Sequence, residues 1–259
     1  MQKHIDSAGY GLHEGKAAGL SGNYERHFAP LVGKEIKLLE LGVYKGASLL
    51  FWRDYFENGT ITGLDANPAH IDDPTGMIHI YQGYQQNIAL LDRIAREQAP
   101  DGFDVIIDDC SHIGRLAHVS FWHLFQNHLK PGGLYAIEDW MTGYLDWLPD
   151  GRRYRPKSQF LYPHKDSLLA RLAWSLKKYF PHILRLIRFP IKWFIGSKIS
   201  SHTYGMVGFI KEIIDAYAPG EIAIPKSGNG RYLYYEISDV NIRPGVVIIT
   251  KSTNESRKQ

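Results

Sequence analysis

The chain contains 259 residues, of which 44% are hydrophobic, and this suits one large α/β domain with an additional segment. A single cysteine, Cys110, excludes an intrachain disulfide framework, and the formal net charge is only +3. The N-terminal residues lack the apolar stretch of a signal peptide, so we expect a cytoplasmic enzyme.

The first predicted elements are a cap, a strand and a glycine-containing turn. Residues 1–30 predict an N-terminal cap segment that becomes helical over NYERHFAPL, and Ile36–Leu41 is the first strand. The turn ELGVYKGASL follows it and leads into a helix. Glycines in such a turn let a ligand approach the backbone, although they also occur for tight packing. The spacing of Gly42 and Gly46 differs from the dinucleotide fingerprint, which disfavours NAD.

Two further strands follow, each with polar residues at its end. Thr60–Leu64 ends at Asp65, and an acid at the tip of a second strand can bind the hydroxyls of a ribose. Ile78–Tyr81 is the third strand, followed by a polar turn that contains Gln85 and by a helix at Asn87–Gln98. This order predicts a nucleoside-binding α/β domain.

The stretch from residue 103 to residue 144 predicts a strand, a helix and a second strand. Val105–Ile107 and Leu134–Ile137 are short apolar runs typical of buried strands, and the helix between them is closed by Lys130–Gly133. A crossover of this length places the two strands parallel in one sheet. Their carboxyl ends then lie at the same edge, where ligands bind in open α/β sheets.

Each of these two strands ends in a pair of acids. Asp108 and Asp109 follow the first, and Glu138 and Asp139 follow the second. Four carboxylates at one edge repel each other, so we expect a cation between them. Hard oxygen ligands favour Mg²⁺, Ca²⁺ or Mn²⁺ over zinc, and we assign Asp109, Glu138 and Asp139 as the metal ligands.

The segment at residues 152–198 carries twelve Lys and Arg residues and one acid, Asp166. Charges and the prolines Pro181 and Pro190 interrupt its apolar runs, so it does not predict a transmembrane span. Three interpretations stay open: a helical lid or dimer contact, a peripheral membrane surface suited to a lipid-linked acceptor, and a nucleic-acid contact. The first is preferred. We expect no nucleic-acid partner, because the segment matches no nucleic-acid-binding module.

The C-terminal part predicts a helix and two strands. Gly208–Tyr217 is helical in pattern, and Tyr232–Ile237 and Val246–Thr250 predict strands joined through Asn241–Gly245.

Four motifs together resemble the class I S-adenosylmethionine (SAM)-dependent methyltransferases. They are LLELGVYKGASL, ITGLDANP, FDVIIDDCSH and LKPGGLYAIEDWMTGY, and they are similar in particular to the metal-dependent sugar O-methyltransferases of the macrocin and mycinamicin type. The resemblance implies a Rossmann-like α/β fold, with a seven-stranded, mostly parallel sheet in the order 3-2-1-4-5-7-6 and helices on both faces. Residues 31–146 and 204–252 would form the methyltransferase domain, and residues 147–203 a basic helical insertion.

The resemblance also implies roles for individual residues. Asp109 and His112 would be catalytic, with His112 as the general base, and Mg²⁺ or another divalent cation would be bound at the acids. Trp140, Thr142 and Tyr144 would contact the acceptor. The residues implied to bind SAM are Glu40, Gly42, Tyr44, Gly46, Ser48, Asp65, Gln85 and Asp108.

We therefore expect an O-methyltransferase that acts on a sugar hydroxyl of a glycosylated metabolite, a glycolipid or a polysaccharide precursor, and that forms a homo-oligomer. A metal-dependent hydroxylase similar to the cephalosporin hydroxylase relatives would instead need two histidines and one acid around Fe²⁺, and only His112 is well placed. A non-catalytic SAM-binding protein is the other alternative.

Several residues also have simpler interpretations. In the simpler interpretation, His112 is an N-cap or surface residue rather than a base, and the acid pairs lie in a solvated loop without a metal. Cys110 is interpreted as a small residue that fills a turn rather than as a soft ligand. Three histidines recur at five-residue intervals, which does not keep one helical face, and they are interpreted as ordinary surface or packing residues: His118, His123 and His128.

Overall fold

The structure is a computed structural model that describes Tyr10 and residues 24–145, 147–153, 204–217 and 236–253. All of these belong to one compact unit, formed by Met1–Arg153 and Thr203–Gln259. The second unit, Tyr154–His202, lies outside the described residues, and most of the predicted basic insertion lies there. The proposed division of the chain into a cap, a domain and an insertion stays a prediction.

The described residues form one seven-stranded sheet. Its order is β3-β2-β1-β4-β5-β7-β6, with β1 to β5 parallel and β7 antiparallel to both β5 and β6. The predicted fold class and strand order are confirmed. The strands are β1 (Lys37–Leu41), β2 (Thr60–Asp65), β3 (Ile78–Gln82), β4 (Phe103–Asp108), β5 (Leu129–Glu138), β6 (Ile237–Ile242) and β7 (Val246–Lys251).

Helices connect the strands and cover both faces of the sheet. No described helix has the length and apolarity that crossing a membrane needs. The α-helices are α1 (Glu25–Phe28), α2 (Ala47–Tyr55), α3 (Ile88–Gln98), α4 (Gly114–Asn127), α5 (Pro149–Arg153) and α6 (Gly205–Tyr217), and short 3₁₀ helices occupy Ala29–Leu31 and Trp140–Tyr144.

The central strand β4 shows how the two cores form. Its side chains alternate, so Val105 and Ile107 pack with the aromatic residues of α1 and α2, while Ile106 packs with α3, α4 and α6. All three are fully buried. Burial on both faces explains why this strand is a continuous apolar run in the sequence.

The start of β5 differs from the prediction. Lys130–Gly133, predicted to separate the helix from the strand, lies inside β5. Phe103 pairs with Leu129, and the register then shifts before Val105 pairs with Leu134. The extra residues form an irregularity in β5, which Gly132 accommodates with a φ of +78°.

The last hairpin also differs. The predicted strand at Tyr232–Ile237 lies mostly outside the described residues, and β6 begins only at Ile237 and continues through Asn241, predicted as connection. The turn is correspondingly tight: Arg243 and Val246 exchange backbone hydrogen bonds of 2.9 and 3.3 Å. Gly245 supplies the positive φ that this turn needs, +85°.

Asp150 joins two helices that are distant in sequence. Its buried carboxylate accepts hydrogen bonds at Oδ2 from the backbone N–H groups of Gly114, at 2.7 Å, and Met206, at 2.9 Å. Gly114 is the first residue of α4, and Met206 is the second residue of α6. A side chain on Gly114 would collide with the backbone of Gly205, so the two helix starts are in close contact. Asp150 therefore caps both helices at once.

We expect Asp150→Ala to lower the free energy of unfolding by about 2–4 kcal/mol, because two buried N–H groups lose their acceptor. Asp150→Asn keeps an oxygen that can accept both bonds, so it should cost less than half as much. Urea denaturation followed by circular dichroism measures both. Equal effects of the two substitutions would contradict the double-capping role.

Candidate active site

Backbone strain concentrates at the carboxyl edge of the sheet. Among the described residues, the non-glycine residues with positive φ are Tyr44, His112 and Asp139, at +49°, +51° and +52°. Each one lies just beyond the end of a strand, after β1, β4 and β5 respectively. Such a conformation costs on the order of 1 kcal/mol for a non-glycine residue, and it is common at functional sites. All three residues were predicted site residues.

The centre of the site is a histidine between two carboxylates. His112 Nε2 lies 3.9 Å from Asp109 Oδ1 and 3.9 Å from Asp139 Oδ2. One ligand atom from each of the three residues falls within 4.8 Å of the others. Asp139 is the most open, with 59% of its side chain exposed, whereas Asp109 is 20% exposed. The arrangement offers two oxygen ligands and a proton acceptor in one place.

Backbone contacts fix this trio. The Asp139 N–H donates to the carbonyl of Gly245 at 2.6 Å, so the turn of the last hairpin supports the end of β5. Thr142 donates its N–H to the Asp139 carbonyl at 3.0 Å and its hydroxyl to the His112 carbonyl at 3.4 Å. Thr142 is buried, so this predicted acceptor contact ties His112 to Asp139.

Glu138 lies beside the trio rather than within it. This predicted metal ligand is buried at the end of β5, and its Oε1 accepts a hydrogen bond of 2.8 Å from the hydroxyl of Tyr24. Burial, followed by the charges of Glu138, Asp109 and Glu40, raises the pKa of Tyr24 well above its usual value. Tyr24 is therefore a neutral donor within a group of carboxylates. No sequence pattern predicts this contact, because Tyr24 lies 114 positions before Glu138, at the start of a segment expected only to pack on the sheet.

The glycines of the first turn serve close packing. Gly42 has a φ of +93°, and a side chain there would collide with the carbonyl oxygen of Asp109. Gly46 has a φ of +85°, and a side chain there would collide with Ile71. Gly42 therefore allows the turn after β1 to lie against Asp109, a predicted metal ligand. Two other predicted cofactor contacts of this region, Glu40 and Ser48, are buried.

Asp65 holds the same turn from the end of β2. Its Oδ2 accepts from the N–H groups of Val43 at 2.8 Å and Tyr44 at 3.0 Å, and its Oδ1 accepts from Asn67 at 2.8 Å. Burial alone would raise the pKa of Asp65, but the three backbone hydrogen bonds outweigh it and the pKa is lowered. Asp65 therefore stays ionised at neutral pH. Its side chain is only partly buried, and it lies at the edge where a ribose would bind.

Gln85 and Asp108, two predicted cofactor contacts, are buried against each other. Gln85 Nε2 donates to both Asp108 oxygens, at 3.2 and 3.1 Å, and Ser120 donates its hydroxyl to Asp108 at 3.1 Å. Gln85 Oε1 accepts from the Ser111 N–H at 3.2 Å, so it also fixes the turn before His112. Burial raises the pKa of Asp108 to about 6, against the lowering effects of Ser120 and of the His112 charge.

Aromatic side chains surround the edge. Tyr44 is 76% exposed and Trp147 65% exposed, and Tyr84 and Tyr144 are also open to solvent. Trp140 is less available, because its indole N–H donates to the carbonyl of Arg243 at 3.0 Å. Tyr144 is therefore the predicted acceptor residue with the most accessible ring.

Cys110 is a packing residue at this edge. Burial, with the charges of Asp108, Asp65 and Asp109, raises the pKa of its thiol to about 12. The thiol therefore stays protonated at neutral pH in the absence of a metal. The structure favours the interpretation as a small residue in a turn.

Comparison with known proteins points to one group of enzymes. No protein-family model matches the chain. It is 43% identical over 130 residues to the mycinamicin VI 2''-O-methyltransferase of Micromonospora griseorubida, a match that covers 47% of this chain and 31% of that protein. It is 37% identical over 130 residues to the demethylmacrocin O-methyltransferase of Streptomyces fradiae, covering 47% of this chain and 32% of that protein.

A solved structure shows the same likeness. The MycE methyltransferase of the mycinamycin pathway, in complex with Mg and SAH, aligns with 98% of this chain at 27% identity and a TM-score of 0.64. The same enzyme with Mg, SAH and mycinamycin VI also has a TM-score of 0.64. The chain resembles the sugar O-methyltransferases in sequence and fold. It covers 56% of that MycE chain and about a third of the curated relatives.

The methyltransferase fold positions a donor set that suits a hard divalent cation. The described edge offers the carboxylates of Asp109, Asp139 and the nearby Glu138, and oxygen is the ligand that Mg²⁺ prefers. The turn held by Asp65 lies at the end of the neighbouring strand pair, where a nucleoside would bind. The site residues therefore fit both a divalent cation and SAM.

Asp108 makes stability depend on pH in a characteristic way. A carboxyl group with a raised pKa stabilises the fold only while it is protonated, so its contribution is present below about pH 4 and is lost as the pH rises through about 6. We expect Asp108→Asn to gain stability relative to wild type over this range, by about 2–3 kcal/mol at most. Urea denaturation in EDTA at pH 4.5 and 7.5 measures the difference. A pH-independent difference would contradict the raised pKa.

Proposed function

We propose that the chain carries the catalytic domain of a SAM- and divalent-metal-dependent O-methyltransferase that acts on a sugar hydroxyl of a glycosylated small molecule. The observation that carries this proposal is the trio of Asp109, His112 and Asp139 at the carboxyl edge of a methyltransferase fold. The relatives support the substrate class, because their names describe methylation of sugar-bearing antibiotics.

Each bound group would have its own residues. Asp109, Glu138 and Asp139 would hold Mg²⁺, and the turn after β1 together with Asp65 would hold SAM. When bound, SAM supplies the methyl group and Mg²⁺ supplies positive charge beside the acceptor oxygen. Tyr24 would orient Glu138 through their 2.8 Å hydrogen bond, since the outer partners of ligating carboxylates fix their direction.

His112 would accept the proton of the sugar hydroxyl at Nε2. A sugar hydroxyl is a very weak acid, so a nearby base is needed as its oxygen becomes the nucleophile. The two carboxylates at 3.9 Å would stabilise the protonated imidazole that results. The hydroxyl of Thr142 at the His112 carbonyl supports the left-handed backbone that carries the ring.

The acceptor would lie against the exposed aromatic residues of the same edge. Tyr144 and Trp147 follow β5 and present accessible rings, which suit stacking on the apolar face of a sugar. A lipid-linked acceptor, a membrane contact through residues 152–198, homo-oligomer formation and a cytoplasmic location all remain predictions.

The hydroxylase alternative fits this edge less well. It would need two histidines and one acid around Fe²⁺, whereas the described cluster contains two acids and a single histidine. A non-catalytic SAM-binding protein would have no need for the strained backbone at both His112 and Asp139.

The first test is isothermal titration with S-adenosylhomocysteine, with and without Mg²⁺. The variant is Asp109→Asn with Asp139→Asn, because asparagine tolerates the left-handed backbone at residue 139. We expect the variant to keep its cofactor affinity within about threefold and to lose Mg²⁺ binding. Failure of wild type to bind S-adenosylhomocysteine would contradict the proposed function.

We expect His112→Gln to lower kcat by about 10²–10⁴-fold while leaving S-adenosylhomocysteine and Mg²⁺ affinities near wild type, because only proton transfer is removed. The assay is turnover of SAM with glycosylated macrolide acceptors. His118→Gln, on the adjoining helix α4, is the matched control and should keep wild-type activity. An unchanged kcat in His112→Gln would exclude this residue as the base.

A further inference from the structure

A second cluster of ligand atoms lies at the opposite end of α4. Asp92 of α3 faces His123, in the last turn of α4, and His128, which follows that helix. Both Nε2 atoms lie 2.7 Å from the same oxygen, Asp92 Oδ1. The three residues form a group within 4.8 Å, separate from the trio around His112.

The end of the helix explains the convergence. Residues five apart do not share a face of an α-helix, but α4 ends at Asn127 and His128 leaves the helical path with φ −128° and ψ −4°. The two imidazole rings consequently approach from different directions, with centroids 5.2 Å apart and planes at 62°. Divergent rings with converging nitrogens are the arrangement that a tetrahedral ion requires.

We propose that Asp92, His123 and His128 form a binding site for a divalent transition metal of the zinc class. Two imidazole nitrogens and one carboxylate oxygen are ligands that suit Zn²⁺ and not Mg²⁺ or Ca²⁺, so this site differs in chemistry from the candidate active site. Tetrahedral ligands at about 2.0–2.1 Å from zinc are about 3.3 Å apart, so each nitrogen, now 2.7 Å from the Asp92 oxygen, needs to move away from it by only about 0.6 Å.

The surroundings suit such an ion. The side chains of His123 and His128 are 17% and 19% exposed, which limits their freedom, whereas Asp92 is 41% exposed and leaves one side open to a water ligand. Hydrogen bonds from His128 and His123 lower the pKa of Asp92, so the carboxylate carries its charge at neutral pH. Non-haem iron enzymes use the same kinds of ligand, but this cluster lies a helix length from the candidate active site.

The metal would connect two elements of the fold. It would link α3 to the end of α4, and His123 and His128 lie about 14 and 21 Å along the chain direction of α4 from the helix start that follows His112. The expected role is therefore structural, and it does not depend on the proposed methyltransferase activity. At a free zinc concentration one hundred times the Kd, the melting temperature should rise by about 5–11 °C.

The test measures Zn²⁺ binding to tag-free protein by competition with a chromophoric chelator. The background is Asp109→Asn with Asp139→Asn, so that the candidate active site does not contribute. We expect one zinc ion per chain, an affinity at least 100-fold lower after His123→Gln with His128→Gln, and no change after His118→Gln, whose ring contacts Glu212. No zinc uptake by the background protein, or unchanged uptake after the paired histidine substitution, would overturn the proposal.

Two further measurements guard against misfolded variants. Asp92→Asn changes one surface-facing group and should weaken zinc binding by about tenfold or more without altering circular dichroism. Co²⁺ added to the background protein should give the intense visible absorption of a tetrahedral nitrogen and oxygen site. A weak octahedral spectrum would show that the histidines do not enclose the ion, and would overturn the tetrahedral site.

Discussion

The parallel register of β1, β4 and β5 is the constraint on which the candidate site depends. Leu41 pairs with Asp108, and Asp108 pairs with Ile137, so the three strands end at the same level. The acids that follow β4 and β5 therefore lie at one edge of the sheet, independently of the conformation of the loops beyond them. The left-handed backbone at His112 and Asp139 turns the chain sharply there, which keeps His112 Nε2 within 3.9 Å of both neighbouring carboxylates.

Crowded carboxylates at this edge are stabilised by different means. Asp65 stays ionised because three backbone N–H groups bind it, whereas buried Asp108 gains a raised pKa and hydrogen bonds from Gln85 and Ser120. Glu138 receives the hydroxyl of Tyr24. Asp109 and Asp139 lie beside His112, and together with Glu138 they are the carboxylates that a bound cation would compensate.

Helix α4 connects the candidate active site with the proposed zinc site. Its start is fixed by Asp150, which binds Gly114 and Met206, and its end holds His123 and His128 against Asp92. A helix anchored at both ends limits the movement of the turn that carries His112, because this turn leads directly into the first residue of α4.

The amino-acid sequence determined the order of elements and the acids at their ends. Apolar runs such as Val105–Ile107 indicate buried strands, and the strands are confirmed because periodicity and strand-end residues are local properties that the fold keeps. The likeness of four motifs to the methyltransferases supplied the sheet order, which is also confirmed, whereas the role of His112 stays a prediction.

Only the tertiary structure decided which side chains meet. Tyr24 lies 114 positions from Glu138, and Asp150 lies 36 positions from Gly114 and 56 from Met206, so no spacing in the sequence relates them. The five-residue interval between His123 and His128 indicated that their side chains diverge, because we expected an uninterrupted helix through both residues. The helix ends at Asn127, and the side chains converge. Contacts of this kind depend on where elements end and how they pack, and these are set by the whole fold rather than by any segment.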